Sequence, residues 1–286
     1  MRDPFIWRCR DREIACGERT LLMGIVNVTP DSFSDGGSFL DTSSAVEHGV
    51  RLAEEGADVL DVGGESTRPG AAEVPVDEEL ERVVPVVEHL VKLVDVPVGV
   101  DTRKGAVARR AVDAGAAIVN DVTAGADPEM FGVARDAGAG LVLMHMRGDP
   151  RTMQDDPRYD DVVTEVRDYL AARIGSAVAA GVPRSQLCID PGIGFGKTLD
   201  HNLAILRAIG SFRELRTPVL VGASRKRFIG QLTGVDDPAD RIEGTAGAVA
   251  WCAAQGVDLV RVHDVLQMRR VVNVVDAIAR EQERPA

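Results

Sequence analysis

Polar residues that could bind or activate a ligand occur in short runs, each directly after a run of apolar, β-branched residues. Residues 23–37 read Met-Gly-Ile-Val-Asn-Val-Thr-Pro-Asp-Ser-Phe-Ser-Asp-Gly-Gly, so an apolar half ends at Asn27 and a long polar half follows. A connection from a strand to a helix usually needs only about 2–6 residues. Longer polar loops after buried strands are where α/β barrels carry their catalytic groups. The run therefore predicts a functional loop.

A second polar run, residues 61–70, offers hydrogen-bond donors for an anion. It reads Asp-Val-Gly-Gly-Glu-Ser-Thr-Arg-Pro-Gly. The paired glycines allow positive φ or a close backbone approach, and the Ser-Thr-Arg segment supplies the donors. Taken alone, the run also fits a solvated loop. Its position after the second predicted strand, like that of the first run after the first strand, favours a functional role.

Carboxyl and amide groups stand at the ends of three further apolar segments. Asp101 ends Val-Pro-Val-Gly-Val-Asp, Asn120 ends Ala-Ile-Val-Asn, and Asp190 ends Leu-Cys-Ile-Asp. At the carboxyl end of a barrel strand such a group points into the mouth of the barrel, where partial desolvation makes it need a partner. Two carboxylates and an amide suit the N–H groups and carbonyl of an aminopyrimidinone. A helix N-cap is the alternative for Asp101, because Thr-Arg follows it.

The glycine-rich segment 191–198 lies between a predicted strand and a predicted helix. It reads Pro-Gly-Ile-Gly-Phe-Gly-Lys-Thr. The nucleotide-binding P-loop has the spacing G-x-x-x-x-G-K-[ST], which requires a glycine at position 191, where this chain has proline. We therefore reject a P-loop. The segment instead allows backbone to lie close to a flat ligand, with Phe195 as an apolar wall.

Two basic groups near the end of the chain suit an anion. Segment 221–228 reads Val-Gly-Ala-Ser-Arg-Lys-Arg-Phe, with Ser224 where a helix would begin, and a helix N-terminus with cations attracts anions. Arg261 and His263 alternate on the last predicted strand, so they face the same side. Barrel phosphate sites commonly follow strands seven and eight, and the pair predicts a phosphate clamp. A surface arginine with a structural histidine is the alternative.

These groups need elements to position them, and apolar segments recur along the whole chain. Predicted strands lie near 21–27, 58–62, 97–101, 117–120, 140–145, 187–190, 218–222 and 258–262. Segments of helical period lie between them, for example at 44–55, 78–93, 162–180 and 244–255.

Eight strands alternating with helices predict parallel pairing and a (β/α)8 TIM barrel. A doubly wound open sheet is the alternative, but it binds its ligand at one switch point, and here polar residues follow nearly every strand.

We expect one domain over residues 1–286. Residues 1–18 predict a short β-hairpin, with a charged turn at 10–12, that caps the bottom of the barrel. The charged tail 280–286 is expected to fray.

Composition excludes several classes of protein. The net charge of −12 argues against a nucleic-acid partner, since phosphate contacts need clustered Lys and Arg. No segment approaches the ~20 unbroken apolar residues of a membrane span, and the N-terminus lacks the apolar run of a signal peptide. The four cysteines show no C-x-x-C spacing, so neither a zinc site nor a disulfide framework is expected. A reducing cytoplasm fits best.

Together, the runs at 23–37, 61–70, 191–198 and 221–228, with Arg261 and His263, resemble the signatures of the dihydropteroate synthases in order and over nearly the whole chain. These are pterin-binding transferases of folate synthesis. The resemblance implies that the chain joins 6-hydroxymethyl-7,8-dihydropterin pyrophosphate to para-aminobenzoate, releasing pyrophosphate and 7,8-dihydropteroate. It also implies a Mg²⁺ cofactor, a cytoplasmic homodimer and a target of sulfonamides, or a resistant form of that target.

The resemblance also implies roles for particular residues. The pterin would be held by Asp101, Asn120, Asp190 and Lys226. The pyrophosphate would be held by Asn27, Arg68, Arg261 and His263. Mg²⁺ would be held by Asn27 and Asp35. The aminobenzoate would be surrounded by Phe33, Thr67, Pro69, Phe195 and Ser224. The catalytic group would be Asp35, Lys226, Arg261 and His263. In the family, a lysine matching the one in segment 191–198 lies near the two substrate sites.

Two other classes of function remain possible from the sequence. A pterin-binding methyltransferase shares the barrel and some pterin-binding acids, but it has no need of the Ser-Thr-Arg-Pro-Gly run or of the Arg261/His263 pair. A non-catalytic pterin-binding relative is the second class. No matched functional position departs from the family pattern, which disfavours it.

Overall fold

The computed structural model describes residues 5–28, 38–67 and 70–279, without the side chains of residues 38–41. Within these ranges, the strands are β1 (Phe5–Cys9), β2 (Arg12–Cys16), β3 (Leu21–Asn27), β4 (Val59–Gly63), β5 (Val98–Asp101), β6 (Ile118–Asp121), β7 (Gly140–Met144), β8 (Leu187–Asp190), β9 (Leu220–Val221) and β10 (Leu259–Val262). The α-helices are α1 (Ser38–Glu54), α2 (Val76–Leu93), α3 (Gly105–Asp113), α4 (Met130–Ala137), α5 (Val162–Ala179), α6 (Leu199–Arg207), α7 (Arg227–Thr233), α8 (Ile242–Ala254) and α9 (Val265–Ala279).

Eight parallel strands form a closed barrel, in the order β8-β7-β6-β5-β4-β3-β10-β9. The two ends of this order meet where Ile189 of β8 pairs in parallel with Val219, just before β9. The Ile189 N–H donates to the Pro218 carbonyl at 2.9 Å. The helices between successive strands pack around the outside. The predicted (β/α)8 barrel is therefore confirmed, and the open sheet is excluded.

Alternation along each strand separates two cores. On β4, Leu60 and Val62 belong to the large core between the strands and the helices. Val59 belongs to the small core inside the barrel, and Asp61, two residues on, shares its direction. The inward positions are thus apolar near the start of a strand and polar at its carboxyl end. This arrangement puts the charged groups at one mouth of the barrel.

The hairpin of β1 and β2 closes the other mouth. Trp7 is fully buried, and its indole N–H donates to the Gln186 carbonyl, immediately before β8, at 2.8 Å. Gly140 opens β7, and a Cβ there would lie 2.5 Å from Cys9 Sγ, so the hairpin and the barrel leave no room for a side chain. The predicted cap is confirmed for residues 5–16.

The boundaries differ from the sequence predictions in small ways. Helix α1 begins at Ser38, six residues before the predicted helical period, and β9 contains only two residues. The frayed tail predicted for 280–286 lies outside the described residues. Within the described part of the chain, none of the helices is both long and apolar enough to cross a membrane.

Candidate active site

The carboxyl ends of five barrel strands bring together three carboxyl groups, one amide and one guanidinium. We call them the strand-end cluster: Asp61 on β4, Asp101 on β5, Asn120 on β6, Asp190 on β8 and Arg261 on β10. All occupy inward positions. Asp61 is fully buried, and Asn120 and Asp190 are each only 5% exposed. Water therefore satisfies little of their hydrogen-bonding capacity, and partners must do so.

Arg261 is the centre of this cluster. Its Nε donates to Asp61 Oδ2 at 2.6 Å, and its Nη2 donates to Asp101 Oδ2 at 2.8 Å. Such hydrogen bonds are needed because burying charges without them is costly. A guanidinium has five N–H donors, and these two carboxylates use two of them. Arg261 can therefore hold the acids and still donate to an anion at the mouth of the barrel.

Asn120 is oriented by the same carboxylate. Its Nδ2 donates to Asp61 Oδ2 at 2.9 Å. An ionised carboxylate only accepts, so the amide nitrogen must face Asp61, and the amide oxygen is left as an acceptor. Asp61 Oδ1 is buried and has no hydrogen-bond partner among the described residues. The cluster thus presents acceptors, which suit N–H groups of a ligand.

Burial raises the pKa of Asp101 and of Asp190. Burial raises the pKa of Asp101 to about 7, although the charge of Arg261 opposes the rise. Burial also raises the pKa of Asp190, opposed by Lys226 and by the Gly192 N–H, which donates to it at 2.7 Å. Asp101 does not cap a helix, since α3 begins at Gly105 with Lys104 as its N-cap. The N-cap alternative for Asp101 was wrong.

Lys226 adds a second cation beside the strand-end cluster. Burial lowers its pKa to about 8, with Asp190 opposing. Its Nζ donates to the Ile193 carbonyl and lies 4.4 Å from the centre of the Phe195 ring. Gly222 lies between these groups: a Cβ there would be 3.7 Å from Lys226 Nζ and 3.9 Å from Asp190 Oδ2. The glycine keeps the centre of the site open.

The basic groups beyond the cluster differ from the sequence prediction. Ser224 Oγ lies 3.0 Å from His263 Nδ1, and the His263 N–H donates to the same hydroxyl at 3.3 Å. Helix α7 begins at Arg227, so Ser224 does not open it. Arg225 is paired with Asp264, with Nε at 3.0 Å from Oδ2. Of the three consecutive cations, Lys226 is thus the one directed at the strand-end acids.

The glycine-rich segment, which we call the glycine-rich loop (residues 191–198), folds against the end of β7. Lys197 within it is 2% exposed, and its Nζ contacts His145 Nδ1 at 2.9 Å. The lysine therefore lies beneath the loop and does not reach the mouth of the barrel. Phe195 lies beside Lys226, and the placement of Phe195 and Lys197 near the substrates, which the resemblance implies, stays a prediction.

Some predicted residues are only partly placed. Asn27 ends β3, half-buried, and pairs in register with Gly63 of β4, whose other neighbour is Asp101. Thr67 is half-buried after β4. Four predicted residues lie outside the described ranges: Phe33, Asp35, Arg68 and Pro69.

Asp61 is the residue that sequence reasoning did not assign to the site. It binds both Arg261 and Asn120. The signal was present, since Asp61 ends an apolar strand just as Asp101 and Asp190 do. Its pairing with Arg261, 200 positions later, depends on β4 and β10 both neighbouring β3.

A separate open depression of about 470 Å³ lies beside the glycine-rich loop and is lined by Arg147, Tyr159, Glu165 and His201, among others. It contains none of the strand-end cluster. The guanidinium of Arg147 stacks 3.8 Å from the centre of the Tyr159 ring, and its Nη2 donates to Glu165 at 2.7 Å. Arg158, the other arginine of the lining, is paired with Asp156, and because both cations are paired the depression is a weaker candidate for an anionic ligand.

Comparisons with known proteins agree with this geometry. The family model described as "Pterin binding enzyme" matches residues 23–263. The chain is 45% identical over 265 residues to the dihydropteroate synthase of Escherichia coli, covering 92% of this chain and 94% of that protein. A Xanthomonas albilineans dihydropteroate synthase solved with 4-aminobenzoic acid has a TM-score of 0.90 and 48% identity, covering 98% of this chain and all of that one. A Yersinia pestis dihydropteroate synthase solved with a sulfonamide drug complex has a TM-score of 0.90 and 42% identity, covering 96% and 99%.

The (β/α)8 barrel, with its acids and arginine at one mouth, defines a small-molecule enzyme of the TIM-barrel class. The chain belongs to the pterin-binding enzyme family, and the relatives named above are dihydropteroate synthases.

Proposed function

We propose that this protein catalyses the dihydropteroate synthase reaction of folate synthesis. It joins 6-hydroxymethyl-7,8-dihydropterin pyrophosphate to para-aminobenzoate and releases pyrophosphate. The observation that carries the proposal is the strand-end cluster with Lys226 beside it, which combines buried acceptors for a heterocycle with two cations at one barrel mouth. It occurs in a chain 45% identical to a synthase over 92% of its length.

The pterin is held by complementary hydrogen bonds. Asp101, Asn120 and Asp190 accept from the ring N–H and amino groups, and Lys226 donates to the ring carbonyl. Desolvated carboxylates are effective acceptors because few water molecules compete with the ligand. Arg261 keeps these acids close together by balancing their charge, which allows a neutral ring to bind beside them.

The pyrophosphate is held by the cations next to the ring. Arg261 retains N–H donors beyond those used by Asp61 and Asp101, and Arg68 and His263 add further donors. The Ser224 hydroxyl lies 3.0 Å from His263 Nδ1 and accepts from the His263 backbone N–H at 3.3 Å, which fixes the position of the His263 ring. These groups offset the charge that builds on the departing pyrophosphate.

The donor set fits Mg²⁺. Among the described residues no group of three or more His, Cys, Asp or Glu side chains could hold a metal, and Mg²⁺ is commonly bound by one or two carboxylates together with substrate phosphates. Asn27 and Asp35 would supply an amide and a carboxylate oxygen to the ion. The bound ion would neutralise phosphate charge and favour loss of pyrophosphate.

The reaction requires positioning more than a nucleophilic side chain. The C–O bond to pyrophosphate breaks, and pyrophosphate leaves with the bonding electrons. The nitrogen lone pair of para-aminobenzoate forms the new C–N bond, and the amine then loses a proton. Phe195, Thr67 and Ser224, with Phe33 and Pro69, hold the aminobenzoate against the methylene carbon. Charge stabilisation and orientation supply the rate enhancement.

The test measures both products. With the pterin pyrophosphate, para-aminobenzoate and Mg²⁺, we expect pyrophosphate and dihydropteroate in equal amounts, and neither product when one substrate is omitted. A sulfonamide competes with the aminobenzoate, so a fall in both products on its addition marks a sensitive enzyme and unchanged products mark a resistant form. No dihydropteroate under these conditions, together with methyl transfer to or from a pterin cofactor, would contradict the proposal and favour the methyltransferase. Pterin binding without any turnover would favour the non-catalytic relative.

We also infer that the protein works as a homodimer in the cytoplasm. The dimer rests on the family resemblance. The cytoplasm is supported by the four cysteines, which are all buried as free thiols and so fit a reducing compartment. Sedimentation of the purified chain at several concentrations tests the dimer, and a monomer at all of them would contradict it.

A further inference from the structure

Lys197 is a buried cation to which the proposed reaction gives no role. Its Nζ lies 2.9 Å from His145 Nδ1, 2.9 Å from the Gly192 carbonyl oxygen, 3.0 Å from that of Phe195 and 3.3 Å from that of His145. Burial, with the charges of Lys197 and Arg147, lowers the pKa of His145 to about 3, so its ring is neutral and Nδ1 can accept. The three carbonyl oxygens are acceptors whatever the tautomer of His145, and an ammonium has only donors.

The acceptors converge because the glycine-rich loop is pressed against the end of β7. Gly192 has φ +69°, and a Cβ there would lie 1.9 Å from the His145 carbonyl oxygen. Gly196 has φ +62°, and a Cβ there would lie 2.2 Å from the Arg147 carbonyl oxygen. Three carbonyl oxygens directed at one point repel each other unless a cation lies between them.

The same loop also contacts two residues that are proposed to bind the pterin, Lys226 and Asp190. The Ile193 carbonyl accepts from Lys226, and the Phe195 ring lies 4.4 Å from Lys226 Nζ. The Gly192 N–H donates to Asp190 at 2.7 Å. A shift of the loop would therefore move an apolar wall of the aminobenzoate pocket and partners of two pterin-binding residues together.

Burial lowers the pKa of Lys197 well below its ordinary value, with Asp190 opposing. The number of acceptors favours the charged form. A neutral amine has two N–H groups for the three carbonyl oxygens, whereas the ammonium has one N–H for each of them.

We propose that Lys197 is a positioning residue whose ammonium is a fixed internal cation of the glycine-rich loop, and that through this loop it sets Phe195 and Lys226 for the two substrates. This rests on the proposed function for its kinetic consequences. The effect is confined to the loop and does not extend to folding of the barrel.

The first test compares Lys197→Met, which keeps length but removes the charge, with Tyr159→Phe. Tyr159 is the matched control because its hydroxyl donates one neutral hydrogen bond, at 2.8 Å, to Gly196 of the same loop. Lys197 contacts neither substrate, so its loss acts indirectly, by letting the glycine-rich loop leave the position in which Phe195 and Lys226 meet the ligands. In Lys197→Met we expect the Kd for pterin and the KM for aminobenzoate each to rise about tenfold. In Tyr159→Phe we expect a change of about threefold or less.

Hydrogen exchange of peptides covering 191–198 makes the test independent of activity. Exchange there should quicken in Lys197→Met while the rest of the barrel and the melting temperature stay near those of the parent. If the parent has no synthase activity, the proposed function is wrong. Hydrogen exchange then still tests whether Lys197 holds the glycine-rich loop in place. Unchanged exchange, unchanged Kd and KM, or a variant that does not fold would each overturn the proposal.

A second variant tests the charge itself. Lys197→Ala leaves the three carbonyl oxygens facing a vacated site, and carbonyl cages of this kind bind K⁺. We expect Lys197→Ala to recover part of its aminobenzoate KM in K⁺ or ammonium salts but not in lithium salts, whereas the parent should show no such preference. Equal behaviour of Lys197→Ala in all three salts would overturn the assignment of an internal cation.

Discussion

Three carboxyl groups lie within one barrel mouth, and the residues around them explain how the fold tolerates this. Asp61 receives two donors on a single oxygen, one from Arg261 and one from Asn120. Asp190 has a backbone N–H and the nearby charge of Lys226. Asp101 shares Arg261 with Asp61, so two of the acids depend on one guanidinium and the third on Lys226 and a backbone N–H.

Replacing Asp190 with asparagine should weaken pterin binding. The change substitutes a mixed donor and acceptor for a charged acceptor, and losing a charge-assisted hydrogen bond costs roughly 1.5–3 kcal/mol. We expect the pterin Kd, measured by calorimetry, to rise about tenfold or more with the fold intact.

The matched control for this change is Asp121→Asn. Asp121 also lies at a strand end, on β6, but its carboxylate accepts from Thr123 and Gly125. Its replacement should lower stability and leave pterin affinity near that of the parent. Equal affinity for Asp190→Asn and the parent would remove Asp190 from the pterin site.

Asp101 should make stability depend on pH. Its folded pKa of about 7 lies above its ordinary value of 3.8, so the folded protein holds this proton more tightly than the unfolded chain. The contribution of Asp101 to the free energy of unfolding is therefore fully present below about pH 4 and is lost as the pH rises through about 7. When the free energy of unfolding is measured with urea between pH 4 and 8, it should fall less with rising pH in Asp101→Asn than in the parent.

The exposed carboxyl of Asp95, replaced in the same way, serves as the control and should leave the pH dependence unchanged. A decline of equal size in the parent and in Asp101→Asn would show that Asp101 is not the group responsible.

At the scale of elements, the strands could be predicted because each is a short apolar segment that ends in a polar residue. Apolar, β-branched segments ending in Asp or Asn predicted the strands that carry Asp101, Asn120 and Asp190. The partners of these residues were not predictable. Arg261 was expected to hold phosphate beside His263, but its side chain also joins Asp61 and Asp101, which depends on the order of strands around the barrel.

The short strand β9 explains another limit of sequence reasoning. Its inward position after Val221 is Gly222, and a glycine in a sequence gives no sign of what it leaves open. In the fold, Lys226, Arg261 and Asp190 surround that position, each with an atom within 4 Å of the point where a Cβ would lie. Burial of Lys197 was likewise hidden, because a lysine beside glycines is usually exposed.

Gly222 provides a prediction about the space at the end of β9. The contacts around an added Cβ, 3.7–3.9 Å, are ordinary, so Gly222→Ala should keep most activity. Gly222→Val adds two methyl groups between Lys226 and Asp190, and we expect it to reduce pterin affinity by at least about tenfold while the melting temperature changes little. Binding of pterin to Gly222→Val with the parent's affinity would show that the ligand does not approach this strand.

At the scale of the whole molecule, the groups that close and stabilise the barrel lie at one mouth, and the groups of the proposed active site lie at the other. The hairpin and the inner apolar core close one mouth, and the charged groups occupy the other. The chain carries a net charge of −12, yet the site concentrates Arg261 and Lys226 among its acids. An anionic substrate responds to this local field more than to the net charge.

Binding order is the prediction at this scale. Asp35 can join the metal site only when Mg²⁺ and pyrophosphate are present, because carboxylate and phosphate oxygens repel without the cation. We predict that closure of the two polar runs, 23–37 and 61–70, then builds the aminobenzoate pocket. Aminobenzoate should bind weakly or undetectably to the free enzyme in calorimetry and well once pyrophosphate and Mg²⁺ are added.

Asp35→Ala should remove most of that gain, and Asp31→Ala, in the same run of the sequence, serves as its control. Tight aminobenzoate binding to the enzyme without metal and pyrophosphate would contradict the ordered mechanism.

The most direct test of the account is a crystal structure of this protein with the pterin pyrophosphate and Mg²⁺. We predict that the ring N–H groups lie within about 3 Å of oxygens of Asp101, Asn120 and Asp190, with the pyrophosphate on Arg261 and His263. A pterin bound elsewhere, for example in the depression lined by Arg147, Tyr159 and His201, with the strand-end cluster unchanged, would contradict the central claim.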